Sequence, residues 1–209
     1  GLFEVVRRVF GVEVDTVTDD VPVWHEDVRC YRVRDEEGRH LGDFYADFFP
    51  RKEKRQGAWA NDLITGRPGA NGTSEPHLAL IAANFTPPGE GVPALLTHRE
   101  VETLFHEFGH LLHHVCSRVP VEPRAGLNVA WDWVEVPSQL MENWTWEEEA
   151  MPLFGRHHET GEALPEEIFH RLRAGRRFMG GWNQMRQLGF GSMDLALHLD
   201  FATGQADEE

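Results

Sequence analysis

The stretch His106-Glu107-Phe108-Gly109-His110 sets two histidines four residues apart around a glutamate. On a helix such histidines lie about 40° apart and one turn along, so both imidazoles can reach one Zn²⁺ at about 2.0–2.1 Å. Glu107 is turned about 100° from His106 and points beside the metal, where a general base for a metal-activated water belongs. A catalytic zinc needs a third protein ligand and one open position. His113 and His114 share the helix face, but each further turn carries a ring about 5 Å along the axis, past the reach of one ion. Ten residues after His106 stands Cys116 rather than a histidine. The third ligand is therefore expected from another helix. Glu135, in Trp133-Val134-Glu135-Val136-Pro137, is a carboxylate in an apolar setting. Burying it uncompensated is costly, and a cation partner explains it. The plainer alternative is an ordinary helix-start carboxylate favoured by the dipole.

These residues need elements to hold them. Thr97 followed by Glu100 forms a capping box, which predicts a long helix over about 98–116. A second helix is expected over 133–149, starting at Asp132 with Pro137 in its first turn, and further helices over 165–175 and 181–200. Ahead of the zinc helix the pattern changes. Leu2, Phe3, Val6 and Phe10 mark a short helix closed by Gly11. Val28–Arg34 and Leu41–Phe49 read as a hairpin across a Gly-containing turn. Gly57–Asn61 and the apolar run Leu78–Phe85 read as further strands, separated by a loop over 65–76. The expected class is α+β, as one partial catalytic domain over 1–209. Residues 1–96 form its sheet-rich part and 97–209 its helical, metal-bearing part.

Composition narrows the partners. The 209 residues are 41% hydrophobic, enough for one sizeable core. No apolar run approaches the ~18 residues of a membrane helix. The formal net charge of −15 repels phosphate backbones, so nucleic acid is not an expected partner. Cys30 and Cys116 are expected as buried free thiols, which suits a reducing, cytoplasmic setting. Sequons occur at Asn71, Asn84 and Asn143, and an intracellular chain makes them chance matches.

His106–His110, with Glu135 in Val-Glu-Val-Pro-Ser-Gln-Leu-Met-Glu-Asn-Trp 29 positions after His106, resembles the thimet oligopeptidase family of zinc metallopeptidases. The resemblance extends to Trp24-His25, Gly42-Asp43-Phe44-Tyr45, Gly57-Ala58-Trp59, Asn84-Phe85, Ala94–His98, Glu159-Thr160-Gly161 and Arg186-Gln187-Leu188. It implies a zincin-like fold and one zinc held by His106, His110 and Glu135. Glu107 becomes the base and later the proton donor to the leaving amine. The implied activity is endo-oligopeptidase cleavage of short peptides in the cytoplasm. Family members are several times longer, and a downstream segment brings a His and several Tyr residues to the metal. The only tyrosines here are Tyr31 and Tyr45, both in the sheet-rich half. The alternative is thus a catalytically incomplete zinc-binding fragment. Its uncovered apolar surface, on the zinc helix and on 181–200, is expected to favour self-association.

Three further readings concern the surroundings. Gly57, Ala58 and Trp59 could form the sheet edge that pairs with a peptide substrate, or Trp59 could be plain core. Glu142, two turns beyond Glu135, could hydrogen-bond a ligand histidine, or it could be an exposed helix glutamate. Trp131, Trp133, Trp144 and Trp146 are expected to pack the Glu135 helix.

Overall fold

The computed structural model describes residues 1–17, 21–67, 69 and 75–201. The Asn71 sequon and part of the expected 65–76 loop lie outside them. The first helix, α1 (Leu2–Phe10), buries Val5 and Val6 and stops at Gly11, whose φ of 64° is left-handed backbone that glycine adopts without a Cβ penalty. The strands are β1 (Glu13–Thr16), β2 (Arg29–Arg34), β3 (His40–Asp47), β4 (Trp59–Ile64) and β5 (His77–Ala82). They form one mixed sheet in the order β1-β2-β3-β5-β4. The β2–β3 hairpin pairs Cys30 with Tyr45, β5 joins β3 in parallel, and β4 runs antiparallel to β5 at the edge. Strand β1 has no sequence signal, because three of its four residues are exposed and no apolar alternation marks it. It exists as the antiparallel neighbour of β2.

One face of the sheet supplies Val33, Phe44, Ala46, Ala79 and Ile81 to the core. Against it packs α2 (His98–Val115), through Phe105, Phe108, Leu111, Leu112 and Val115. Phe108 meets the Phe44 ring edge-on at 5.7 Å between centroids. Each fully buried phenylalanine of this kind contributes roughly 1.5–3 kcal/mol. The capping box is complete. Thr97 Oγ1 accepts from the Glu100 amide, and Glu100 Oε2 accepts from the Thr97 amide. The apolar face of α2 is therefore covered, contrary to the expectation that the zinc helix would leave it open.

The second helix is shorter than expected. Helix α3 spans only Val136–Glu142 and continues as a 3₁₀ turn over Asn143–Trp146. Its N-cap is Glu135 rather than Asp132, since residues 131–135 form turns and Pro137 can sit only in the first turn. The tryptophans divide accordingly. Trp146 is buried and donates from Nε1 to Glu102 Oε1 at 2.6 Å, and Trp144 packs against the core, whereas Trp131 is 93% exposed. Cys30 is buried as expected, but Cys116, just past the end of α2, is exposed. A four-residue helix, α4 (Met151–Phe154), follows.

Contacts divide the chain into two units, Gly1–Ala163 and Leu164–Glu209. The second contains α5 (Glu166–Arg176) and α6 (Gly180–Leu195), the latter running on in π-helical form over Ala196–Phe201. No residue of α6 is buried, and Trp182, Met185, Phe190 and Met193 are exposed. No helix among the described residues is long and apolar enough to cross a membrane. The sheet and helices together make an α+β protein.

Candidate metal centre

Helix α2 delivers His106 and His110 to one side, and the chain entering α3 brings Glu135 opposite them. His106 Nε2 and His110 Nε2 each lie 3.2 Å from Glu135 Oε2. Among the described residues these three form the one group able to hold a metal. Four ligands at Zn–N and Zn–O distances of 2.0–2.2 Å in a tetrahedron stand about 3.3–3.5 Å apart. The two observed separations are close to that edge, so two imidazoles and a carboxylate fit a small divalent cation with a fourth position left open.

The approach of α3 to α2 depends on Gly109. A Cβ at that position would lie 2.5 Å from Ser138 Cα and 2.8 Å from the Pro137 carbonyl oxygen. Both are backbone neighbours that cannot swing aside. The glycine inside the motif is thus the bare spot onto which the first turn of α3 settles.

Glu142 stands behind His106. Its Oε1 accepts from His106 Nδ1 at 2.6 Å, which places the ring proton on Nδ1 and leaves the Nε2 lone pair facing Glu135. His110 has no such support, for its buried Nδ1 meets no partner among the described residues. Two further histidines of the helix bond elsewhere, His98 from Nε2 to the Thr145 carbonyl. His114 is fully buried and donates from Nε2 to the Ile64 carbonyl, with its ring edge against His77.

Glu107 is buried, 6% exposed, and points from α2 toward β4. Burial raises its carboxyl above the ordinary range. Glu135 pushes the same way, while the Ala60 amide and the His106 ring when protonated resist. Burial likewise lowers His110, favouring the neutral imidazole that a metal requires.

A cleft of about 320 Å³ opens over these groups, lined among others by Ala58, Trp59, Ala60, Leu127 and Trp131. Ala58 and Trp59 therefore lie beside His106 and Glu107. Gly57 does not line the cleft; it has a φ of 100°, and its carbonyl accepts from Asn84 Nδ2. One contributor reads differently from the sequence, Trp131 being expected to pack the Glu135 helix, and one carries no signal. Trp131 stands on the rim, and Ser138 donates to Glu135 Oε2 at 2.8 Å. A serine three residues after a carboxylate is too common a spacing to be noticed without the fold.

The whole chain, residues 1–209, matches peptidase family M3. It is 45% identical to oligopeptidase A of Salmonella typhimurium over 96% of its own length and 30% of that protein's. It is 43% identical to organellar oligopeptidase A, chloroplastic/mitochondrial, of Arabidopsis thaliana, over 98% of the chain and 26% of the relative. Dipeptidyl carboxypeptidase of Escherichia coli is 33% identical over 95% and 28%. The chain thus spans about a third or less of the relatives it matches, and with the match running from its first residue to its last it belongs to peptidase family M3.

Proposed function

We propose that the protein carrying this chain is a zinc-dependent endo-oligopeptidase, with His106, His110 and Glu135 as metal ligands and Glu107 as general base. The observation that carries the reading is the convergence of both Nε2 atoms on Glu135 Oε2 at 3.2 Å, with the buried Glu107 beside them. When bound, Zn²⁺ would polarise the scissile carbonyl and lower the pKa of the attacking water toward ~7. Glu107 removes the proton of that water as its oxygen attacks the carbonyl carbon. It returns the proton to the departing nitrogen as the C–N bond breaks. A carboxyl raised by burial suits both steps, being basic enough to take the proton and acidic enough to give it back. Glu142 holds His106 in the tautomer that binds metal.

Strand β4 pairs only with β5 among the described residues, so its outer edge is open to an extended peptide. A substrate strand laid there beside Ala58 and Trp59 would gain backbone hydrogen bonds without a sequence requirement, and its scissile bond would face Glu107. This suits short unstructured peptides. The free thiols Cys30 and Cys116 go with a cytoplasmic setting.

A specific observation favours a second reading for this stretch alone. Among the described residues, no tyrosine, serine, arginine or lysine lines the cleft. Tyr45 donates to the Pro22 carbonyl instead, and Tyr31 packs between Phe3 and Phe44. Lack of one oxyanion donor typically costs about 10²–10³ in rate. The fragment would then bind zinc yet turn over slowly.

Metal content and hydrolysis of an internally quenched peptide, compared between the protein and its Glu107→Gln form, test the proposal. One zinc in both, with turnover reduced about 10²–10⁴-fold by the substitution, is expected. Zinc without turnover in either would favour the incomplete fragment. Absence of zinc would sink the ligand assignment.

A further inference from the structure

We infer that Ser138 is a positioning residue for the metal centre: its hydroxyl, three residues into α3, aims the Glu135 carboxylate at the two histidines. The inference rests on the metal-binding reading proposed above.

Glu135 occupies the N-cap of α3, yet its side chain caps nothing. Its backbone, with φ −86° and ψ −5°, is already helical rather than the extended conformation from which an N-cap side chain reaches back to the N2 or N3 amide. The carboxylate is therefore free to turn toward His106 and His110, and it needs a partner to stay there. Ser138 sits at N3 and is fully buried. Its Oγ lies 2.8 Å from Glu135 Oε2 and 2.9 Å from the Glu135 carbonyl oxygen.

The oxygen that Ser138 touches is the same Oε2 that faces both imidazoles. A carboxylate oxygen has two lone pairs, so one can accept from the hydroxyl while the other faces a cation. Once the Nε2 lone pairs of His106 and His110 turn to a metal, neither imidazole donates to Glu135. Ser138 then remains the side-chain donor holding that carboxylate among the described residues. Ser138 is itself buried while the Glu135 side chain is 49% exposed, so the hydroxyl holds the carboxylate in competition with water, from a place that the seat of α3 on Gly109 fixes.

The competing role is purely structural. A helical serine often returns its proton to the carbonyl three or four residues back, and the one hydroxyl proton of Ser138 is shared between that carbonyl at 2.9 Å and Oε2 at 2.8 Å. The two roles predict different losses. The Glu135 carbonyl also accepts from the Gln139 amide at 2.9 Å, so removing the hydroxyl leaves no backbone oxygen unpaired. In Ser138→Ala the metal-free fold should accordingly survive while the aim of the carboxylate is lost.

The experiment uses Zn²⁺ affinity by competition with a chromophoric chelator, the visible spectrum of the Co²⁺ form, and thermal unfolding of the metal-free protein. Ser138→Ala should weaken zinc about 10–100-fold, the usual loss when a ligand's hydrogen-bond partner is removed. The Co²⁺ bands should shift as the carboxylate moves, and the metal-free unfolding midpoint should stay where it was. Ser138→Thr, which keeps the hydroxyl, should restore affinity. Unchanged affinity and spectrum in Ser138→Ala would reduce the hydroxyl to a helix back-bond and overturn the inference. A metal-free midpoint that falls with the affinity would also overturn it, by making the loss one of folding. Failure of the unsubstituted protein to bind zinc would instead defeat the parent reading.

Discussion

Helices α2 and α3 hold the side chains of the proposed metal site between them, and they are built on opposite terms. Helix α2 runs eighteen residues, closes its first turn with a reciprocal capping box and buries nine of its residues. Helix α3 has seven residues, no side-chain cap bond, proline in its first turn and two buried side chains. Seven residues are far too few for a helix to persist alone in water. The two histidines therefore stand on an element fixed by the core, and Glu135 stands on one whose place is set by contact with α2. A metal centre divided in this way has a firm half and a dependent half. Its affinity is controlled by whatever seats the second on the first.

Gly109→Ala is the most direct way to break that arrangement. Alanine is the better helix former, by about 0.8–1 kcal/mol, and would favour α2 in isolation. Its Cβ would nevertheless collide with the Ser138 Cα and the Pro137 carbonyl. Overpacking of this kind costs about 1–3 kcal/mol, so the net change in folding stability is small to moderate. The loss of zinc should be large, more than about a hundredfold. That exceeds the 10–100-fold typical of outer contacts because the ligand itself is displaced. Chelator competition beside thermal unfolding of the metal-free protein measures both. Zinc affinity held within a few-fold would mean that α3 positions Glu135 without leaning on α2.

The same division governs what could be read from the chain alone. The firm half was legible. The capping box, the i,i+4 histidines and the apolar face of α2 are local signals, and the helix lies within one residue of where they put it. The β2–β3 hairpin was equally plain, because turn and strands are adjacent in sequence. The dependent half was legible only in part. Glu135 stands out as a carboxylate among apolar neighbours in the sequence, but the structure leaves its side chain half exposed rather than buried, and its helix starts three residues later than expected, because α3 takes its limits from tertiary contacts. Glu142 reads from the sequence equally as ligand support or as an exposed glutamate, and only the fold shows its hydrogen bond to His106 Nδ1. Ser138 and the role of Gly109 carry no signal of their own. β1 was missed for a related reason, being defined by its neighbour β2 rather than by its own pattern.

Beneath α2, acid should loosen the scaffold in a defined window. Asp47, at the end of β3, accepts from both Arg51 Nη atoms, Lys54 Nζ and Trp24 Nε1. Burial alone would raise its carboxyl, but these donors outweigh that effect and hold it at about 2, below the usual 3.8. Because the folded value is depressed, the stabilisation is complete above pH ~4 and is lost as pH falls from ~4 through ~2. The shift corresponds to about 1–2 kcal/mol once screening by nearby solvent is allowed for. Denaturant unfolding of the metal-free protein at a series of pH values reads it. Asp47→Asn should flatten the stability curve between pH 4 and 2. A slope unchanged by the substitution would assign the acid sensitivity to other carboxylates.

The smallest effect is the one that sharpens the comparison most. Thr97→Ala removes the hydroxyl that accepts from the Glu100 amide, a cap worth about 1 kcal/mol. The first turn of α2 has a second tie, however. Glu100 Oε1 still accepts from the Thr86 amide and hydroxyl, and Oε2 from the Thr97 amide. Two turns further on, the Phe105 and Phe108 side chains remain locked in the core. The helix should therefore fray at its start without moving His106, which begins its third turn. Thermal unfolding should register the lost kilocalorie, and zinc affinity should stay within about twofold, since the binding geometry is unaltered. A tenfold fall in zinc affinity would show the opposite: that α2 transmits disturbance from its cap to its ligands, and that the firm half owes its firmness to the cap rather than to the core beneath it.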